Sequence, residues 1–371
     1  MTIVLAVTYG GLFLILCSNL IYLRWHRTAP DDGSDATELP FASILIPARN
    51  EADNLRRLLP SIRQQRGINC EIIVVDDESD DGTAAVVEEA VEDAGDGSIR
   101  LLRGTDLPGG WTGKSYALDR AAREAAGELL VCLDADTEFT GTDGLGKLVQ
   151  TYVSYTGPTV LTAFPRMRGG GQLLVSLVPF TIFTFLPWPL VQGTRSPSLS
   201  ALNGQCWMIT AELYDRYRPH EEVRDEVLED VEIGRYLKSQ GVTPVMVDLR
   251  DELSVYMYES FVEAWQGFRK NAYPLAGGTP IRAAASLGFF TVLFIIAPVI
   301  WPWSLAAAWS LKLITDRYSG FSPWVSLGSP VSFVLGLLLQ ADSMLTHLRG
   351  RVKWKGRRVS SNSPSDYSSS V

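Results

Sequence analysis

The chain has 371 residues, 46% of them hydrophobic, enough to bury one sizeable domain and leave long apolar segments over. Forty-two acidic against thirty-three basic residues give a net charge of −9, so the soluble surface repels polyanions and a nucleic-acid groove is excluded. The four cysteines, Cys17, Cys70, Cys132 and Cys206, are scattered in apolar runs, which excludes paired zinc or redox spacings and reads as buried reduced thiols.

From Ile3 to Trp25 the only charge is Arg24, so residues 1–27 form a run long enough to cross a bilayer. It lacks the leading positive charge and small-residue cleavage site of a removable signal, and Arg24, His26 and Arg27 follow it. A signal anchor with its carboxyl end in the cytoplasm is expected. Residues 38–281 then form the middle region. Ser43–Pro47, Glu71–Asp76 and Leu129–Asp134 are short, β-branched-rich runs, each ending in polar residues and followed by a helical pattern. Strands buried on both faces read this way, so a parallel α/β sheet is expected, with ligands bound beyond the carboxyl ends of its strands.

That edge carries Arg49, Asn50 and Glu51 after the first run, Asp76, Asp77 and Asp80 after the second, and Asp134 and Asp136 at the end of the third. Carboxylates crowded there repel one another unless a cation sits among them, and Mg²⁺ or Mn²⁺ is the expected one. Residues two apart at an extended strand end project to one side, so Asp134 and Asp136 can approach one hard cation. Between these runs, Leu107 to Ser115 (LPGGWTGKS) is a near miss of a phosphate-cradling loop. Pro108 stands where that loop needs its first glycine, and proline has no N–H to offer. What remains is a glycine-rich turn that delivers Lys114 to the start of a helix at Ser115–Ala126, where backbone N–H groups favour an anion; an exposed loop lysine is the alternative.

Leu173 to Val191 is uncharged and nearly long enough to span, but holds Pro179, Pro187 and Pro189. One crossing there would separate two halves that the site needs together, so residues 173–191 read as an interfacial or re-entrant element, with a buried core helix as the alternative. Glu229-Asp230 opens a helical pattern and is either a functional pair or an acidic first turn. Residues 284–346 hold two further spans, one between Arg282 and Lys312 and one from Tyr318 to Ala341, with a turn around Lys312, Asp316 and Arg317. Residues 349–371 are basic (Arg349, Arg351, Lys353, Lys355, Arg357, Arg358) and then serine-rich, and the basic part falls on the same side as Arg24 and Arg27. The expected protein is multi-pass in the cell membrane, with 31–282 cytoplasmic.

IPARNE at Ile46–Glu51, VVDDESDDGT at Val74–Thr83, LDAD at Leu133–Asp136 and LEDVEIGRYLKSQG at Leu228–Gly241 occur in that order. Together they resemble the inverting family 2 glycosyltransferases of the GT-A nucleotide-sugar fold. Within that family the chain looks most like the membrane-anchored branch acting on lipid or isoprenoid acceptors, and GWTGKSYAL and WKGR (Trp354–Arg357) share in the likeness. The resemblance implies a UDP- or GDP-sugar donor whose base and ribose meet Glu51 and Asp77, with Asp76 supporting the loop. It implies metal at Asp136, Asp134 beside it contacting ribose or metal, and Asp230 as general base. Processive members carry Gln-x-x-Arg-Trp, whereas Gln266-Gly267-Phe268-Arg269 is followed here by Lys270, so a single transfer is implied. Arg269 is a candidate diphosphate contact, or else part of a basic helix near the membrane. A nucleotidyltransferase would also use acidic strand ends and a metal, but it needs a glycine-rich basic loop after its first strand, where Ala48–Glu51 offers none. A receptor or scaffold of the same fold would not need this full set of carboxylates.

Overall fold

The computed structural model describes residues 2–28, 39–354 and 357–358; Lys355 of the basic string and the serine-rich end from Ser360 lie outside the described residues. Two compact units make up the chain: Tyr22–Arg166 with Trp188–Tyr256, and Met1–Ile21 with Met167–Pro187 and Met257–Val371.

The first unit alternates strand and helix. Its elements are β1 (Ala42–Ala48), α1 (Ala52–Arg63), β2 (Cys70–Asp76), α2 (Thr83–Ala94), β3 (Ile99–Arg103), α3 (Gly113–Glu124), β4 (Leu129–Leu133), β5 (Thr137–Phe139), α4 (Gly144–Val153), β6 (Thr159–Phe164), β7 (Cys206–Thr210), α5 (Glu229–Ser239), β8 (Thr243–Asp248) and β9 (Leu253–Tyr256). Seven strands form one sheet in the order β3-β2-β1-β4-β7-β6-β8. Each central strand feeds two cores, because successive side chains leave opposite faces. Ile44, Ile46, Ile72, Val74, Val131 and Leu133 pack on one side with Leu55, Leu58 and Leu148. Leu45, Ile73, Val75, Leu130 and Cys132 pack on the other with Leu118, Tyr214, Ile233 and Leu237.

The all-parallel sheet expected from the sequence is corrected to a mixed one. β1 runs parallel to β2 and β4, but β7 lies antiparallel between β4 and β6. Its sequence, CWMIT, is as apolar as a parallel strand, so direction is not written in its pattern. The topology sets three parallel strand ends (β1, β2, β4) on one edge and brings the entry of β7 to that same edge.

Among the described residues of the second unit, three helices are long and apolar enough to cross a membrane: Thr2–Trp25, which runs on into the first unit, Pro280–Ile300 and Ser329–Leu348. The turn expected around Lys312, Asp316 and Arg317 is instead the interior of an 18-residue helix, Pro302–Ser319. Lys312 and Asp316 stand one turn apart and pair at 2.5 Å, Lys312 Nζ also donates to Ser176 Oγ at 2.8 Å, and Ser326 Oγ donates to Asp316 at 3.0 Å. Mutual neutralisation lets the helix bury both charges, so the break moves to Trp301-Pro302. The 173–191 run is broken into Gln172–Val175, Leu177–Phe185 and Trp188–Gly193. Leu186 is extended because it precedes Pro187, and no piece is long enough to cross. Asn19 of the first helix donates to the carbonyls of Phe183 and Leu186, at 2.9 Å each, and caps that break. The cysteines are all free thiols; Cys132 and Cys206 are buried as expected, whereas Cys70 is half-buried and Cys17 points outward from its apolar helix.

Candidate active site

The β1 and β2 ends are tied into one platform. Asp77 N–H donates to the Ala48 carbonyl at 2.7 Å, Arg49 Nη1 donates to the Asp77 carbonyl at 2.5 Å, and the two side chains stand 3.8 Å apart as an ion pair. Asn50 and Glu78 both hold the left-handed backbone, at φ 53° and 54°, a conformation that costs energy unless neighbours enforce it. They do so here: Asn50 N–H donates to Ser79 Oγ, and Asn50 Oδ1 accepts from Asp80 N–H, both at 2.9 Å. Glu51 opens α1; its N–H donates to Thr83 Oγ1 at 2.9 Å and its carboxylate accepts from Asn54 at 2.5 Å. Asp76 is buried at the end of β2 and accepts from Ser79 N–H at 3.2 Å, so it supports the loop. Gly104 passes so close that a Cβ there would lie 2.6 Å from the Asp76 carbonyl.

Asp134 follows β4, and its N–H donates to the Gln205 carbonyl at 3.0 Å, which locks it to the entry of β7. Asp134 and Asp136 are half-exposed while Ala135 and Thr137 between and beyond them are buried, so the two carboxylates share a side as the spacing predicts. Lys114 sits in the first turn of α3, whose cap is Thr112 accepting from Ser115 N–H at 3.4 Å. The helix begins at Gly113, two residues ahead of the expected start. Its ammonium lies 2.8 Å from Asp134 Oδ1 and 3.0 Å from Glu229 Oε1. Burial opposes the charge, but Asp134, Glu229 and Asp230 outweigh it and hold Lys114 protonated well above the ordinary lysine value.

Asp230 enters from the first turn of α5. Gly204 N–H donates to its Oδ2 at 3.0 Å and Val231 N–H to its Oδ1 at 2.8 Å. Burial and then the neighbouring Glu229 push Asp230 up to about 6, against the pull of Lys114 and those two N–H groups. Burial likewise drives Asp134 upward against Lys114. Below them His220 is fully buried, bonded through Nδ1 to the Tyr214 hydroxyl at 2.7 Å, and burial pushes it down to about 3, so it stays neutral.

The first unit thus brings Lys114, Asp134, Glu229 and Asp230 together, with Glu51, Asp76, Asp77 and Asp136 along the same strand edge. Arg269 lies in the other unit, 3.7 Å from Asp342, and its carbonyl accepts from Ser343 Oγ at 2.6 Å. Gly204 and Gln205 were not read from the sequence. A Cβ on Gly204 would stand 3.0 Å from Asp230 Oδ2 and 3.2 Å from Lys114 Nζ, so a side chain there would press on the charged cluster. The signal available was the lone Asn203-Gly204-Gln205 turn ahead of an apolar run.

A mixed sheet with acidic strand ends, facing a half-buried carboxylate at the start of a helix, is the arrangement of the GT-A fold of nucleotide-sugar glycosyltransferases. Residues 43–218 match the family model for Glycosyl transferase family 2, and the chain carries a domain of that family. It is 24% identical to a 4,4'-diaponeurosporenoate glycosyltransferase of Staphylococcus haemolyticus (strain JCSC1435), over 94% of this chain and 96% of that protein. The protein of the same description from Staphylococcus aureus (strain MRSA252) is 26% identical over 93% and 94%. Among solved structures, the mannosyltransferase PcManGT from Pyrobaculum calidifontis, in complex with GDP-Man and Mn²⁺, matches with a TM-score of 0.59 at 20% identity, covering 93% of this chain and 97% of that one. At that identity the likeness is one of fold.

Proposed function

We propose that this chain is a metal-dependent, inverting glycosyltransferase of the cell membrane that moves one sugar from a UDP- or GDP-sugar to a hydroxyl of a lipid or isoprenoid acceptor. The observation that carries it is Asp230, a half-buried carboxylate with proton affinity raised to about 6, held by two backbone N–H groups beside the edge where the strand-end carboxylates gather. A base so tuned is ionised at neutral pH yet basic enough to take a proton. In this reading Asp230 removes the acceptor hydroxyl proton as that oxygen attacks the anomeric carbon. The bond from that carbon to the phosphate oxygen breaks on the opposite face, the electron pair leaves on the diphosphate, and the configuration inverts.

Glu51 and Asp77 receive the base and ribose, and Asp76 holds their loop. The acidic edge fits a hard divalent cation. Among the described residues no group of three or more metal-ligating side chains closes around one point, so Asp136 with Asp134 beside it would hold Mg²⁺ or Mn²⁺ together with donor phosphate oxygens. Such an ion stabilises the charge developing on the leaving diphosphate. Arg269 is assigned to the diphosphate as well, an assignment that requires it to exchange Asp342. The lipid acceptor is supported by the carotenoid-acid name of the curated relatives and by the three apolar helices. Charge asymmetry supports an outward amino terminus and a cytoplasmic catalytic region.

The test is to incubate membranes containing the protein with separate UDP- and GDP-sugars and a lipid extract, with and without chelator, and to determine the anomeric configuration of the product. Inverted product formed only with divalent metal is expected. Retained configuration, or full turnover in excess chelator, overturns the mechanism.

A further inference from the structure

Resting on the donor reading above, we propose that Glu229 is a positioning residue that competes with the donor diphosphate for the ammonium of Lys114, so that donor binding and activation of the base at Asp230 are coupled through one lysine.

The geometry is that of a shared cation. Lys114 Nζ contacts Asp134 Oδ1 on the strand-end side at 2.8 Å and Glu229 Oε1 on the helix side at 3.0 Å. A point on the Gly204 backbone, where a Cβ would be, is 3.2 Å from that ammonium and 3.0 Å from Asp230 Oδ2, so ammonium and base crowd the same backbone position. An ammonium has three N–H donors, and two are taken by these carboxylates. Against one positive charge the cluster sets three carboxylates, Asp134, Glu229 and Asp230. His220 beneath is neutral and returns no charge to the balance.

A nucleotide sugar brings two further negative charges. Lys114 is a third exposed and sits at the start of α3, where backbone N–H groups already favour an anion. Turning it toward a diphosphate exchanges Glu229 for phosphate oxygens. Glu229 then loses the Lys114 ammonium, and its field on the adjacent Asp230 increases the proton affinity of that carboxylate. The base is strongest when the donor is in place. Glu229 therefore weakens donor binding in the empty enzyme and strengthens Asp230 in the loaded one.

The experiment titrates UDP and GDP separately, with Mn²⁺ present, into the full chain in detergent, following tryptophan fluorescence or heat. Glu229→Gln keeps the side-chain shape and removes the competitor, so the nucleotide that binds wild type should bind about 3- to 10-fold tighter. Lys114→Met should bind at least about 10-fold weaker, and the Glu229→Gln gain should vanish in the Lys114→Met background. Should Glu229→Gln fail to fold by its thermal transition, Glu229→Asp serves instead, with a smaller gain in the same direction. Unchanged or weaker binding in the folded Glu229 variant, or a gain that survives without Lys114, overturns the coupling while leaving the donor reading intact. Wild type that binds neither nucleotide overturns the donor reading and this inference together.

Discussion

Asp230 is the residue where burial and chemistry meet most directly. With its proton affinity pushed up to about 6, kcat/KM should be flat above that pH and fall tenfold per pH unit below it, because the ionised form is the base. A pH profile of the wild type checks this; a midpoint near the ordinary aspartate value of about 4 would show that burial does not act on this group. Asp230→Asn should lower turnover by about 10²- to 10⁴-fold without weakening donor binding. Gly204→Ala tests the same point from the backbone side. Its Cβ would meet Asp230 Oδ2 at 3.0 Å and Lys114 Nζ at 3.2 Å, so turnover should drop by about tenfold or more while the thermal midpoint moves by only a few degrees. Asp134 and Asp136 stood out in the sequence because they follow an apolar strand run, whereas Asp230, at a helix start where an acidic residue also suits the helix dipole, was open to two readings. Gly204 was not legible, because its requirement comes from the approach of a distant helix, and no spacing along the chain encodes that distance.

At the scale of elements, α5 is held to the segment ahead of β7 by close approach and by one buried lysine. A Cβ on Gly234 would lie 3.0 Å from Ala201 C and Leu202 N, and Lys238 Nζ donates to the carbonyls of Val191 and Leu199 at 2.6 Å each. Burial lowers the proton affinity of Lys238, so the two carbonyls are what make its charge tolerable there. Lys238→Met should therefore cost about 1–3 kcal/mol for each carbonyl left unsatisfied, read from denaturant unfolding of the detergent-solubilised chain. A cost under about 0.5 kcal/mol would show that the segment is held by other contacts. The strands β1, β2 and β4 were legible because each is an unbroken apolar run, while β3, with Arg100 and Arg103 and only its first residue buried, offered no such signal. The helix Pro302–Ser319 was hidden for a related reason. Charged residues read one by one suggest a turn, and only the four-residue spacing of Lys312 and Asp316 turns them into a buried pair. The same packing selects a probe for the broken apolar segment. Phe183 is fully buried against Tyr318, whereas Phe185 is half-buried, so Phe185→Asp is the substitution that leaves the fold and tests acceptor access.

For the molecule as a whole, the question is which side of the membrane the catalytic unit faces. In the proposed topology the three apolar helices Thr2–Trp25, Pro280–Ile300 and Ser329–Leu348 would each cross once, so an outward amino terminus would place both the 31–282 region and the basic string after Arg349 on the cytoplasmic side. Basic residues close or follow the first helix (Arg24, Arg27) and follow the last (Arg349, Arg351), and the positive-inside rule counts charges next to the helix ends, so both ends favour the same orientation. Nucleotide sugars made in the cytoplasm would then reach Glu51, Asp77 and Lys114 without crossing the bilayer. Labelling with a membrane-impermeant maleimide on intact cells decides the matter, provided the background is controlled. Cys17 and Cys70 are not buried, so both are first replaced by serine, and Cys132 and Cys206 remain inside the core. A single cysteine is then placed at Glu89, which is exposed on α2 and far along the chain from the site residues. Glu89→Cys should stay unlabelled on intact cells and label fully once they are permeabilised, whereas an added cysteine at Thr2 should label in both. Labelling at Glu89 on intact cells would reverse the orientation and require the donor to be supplied from outside.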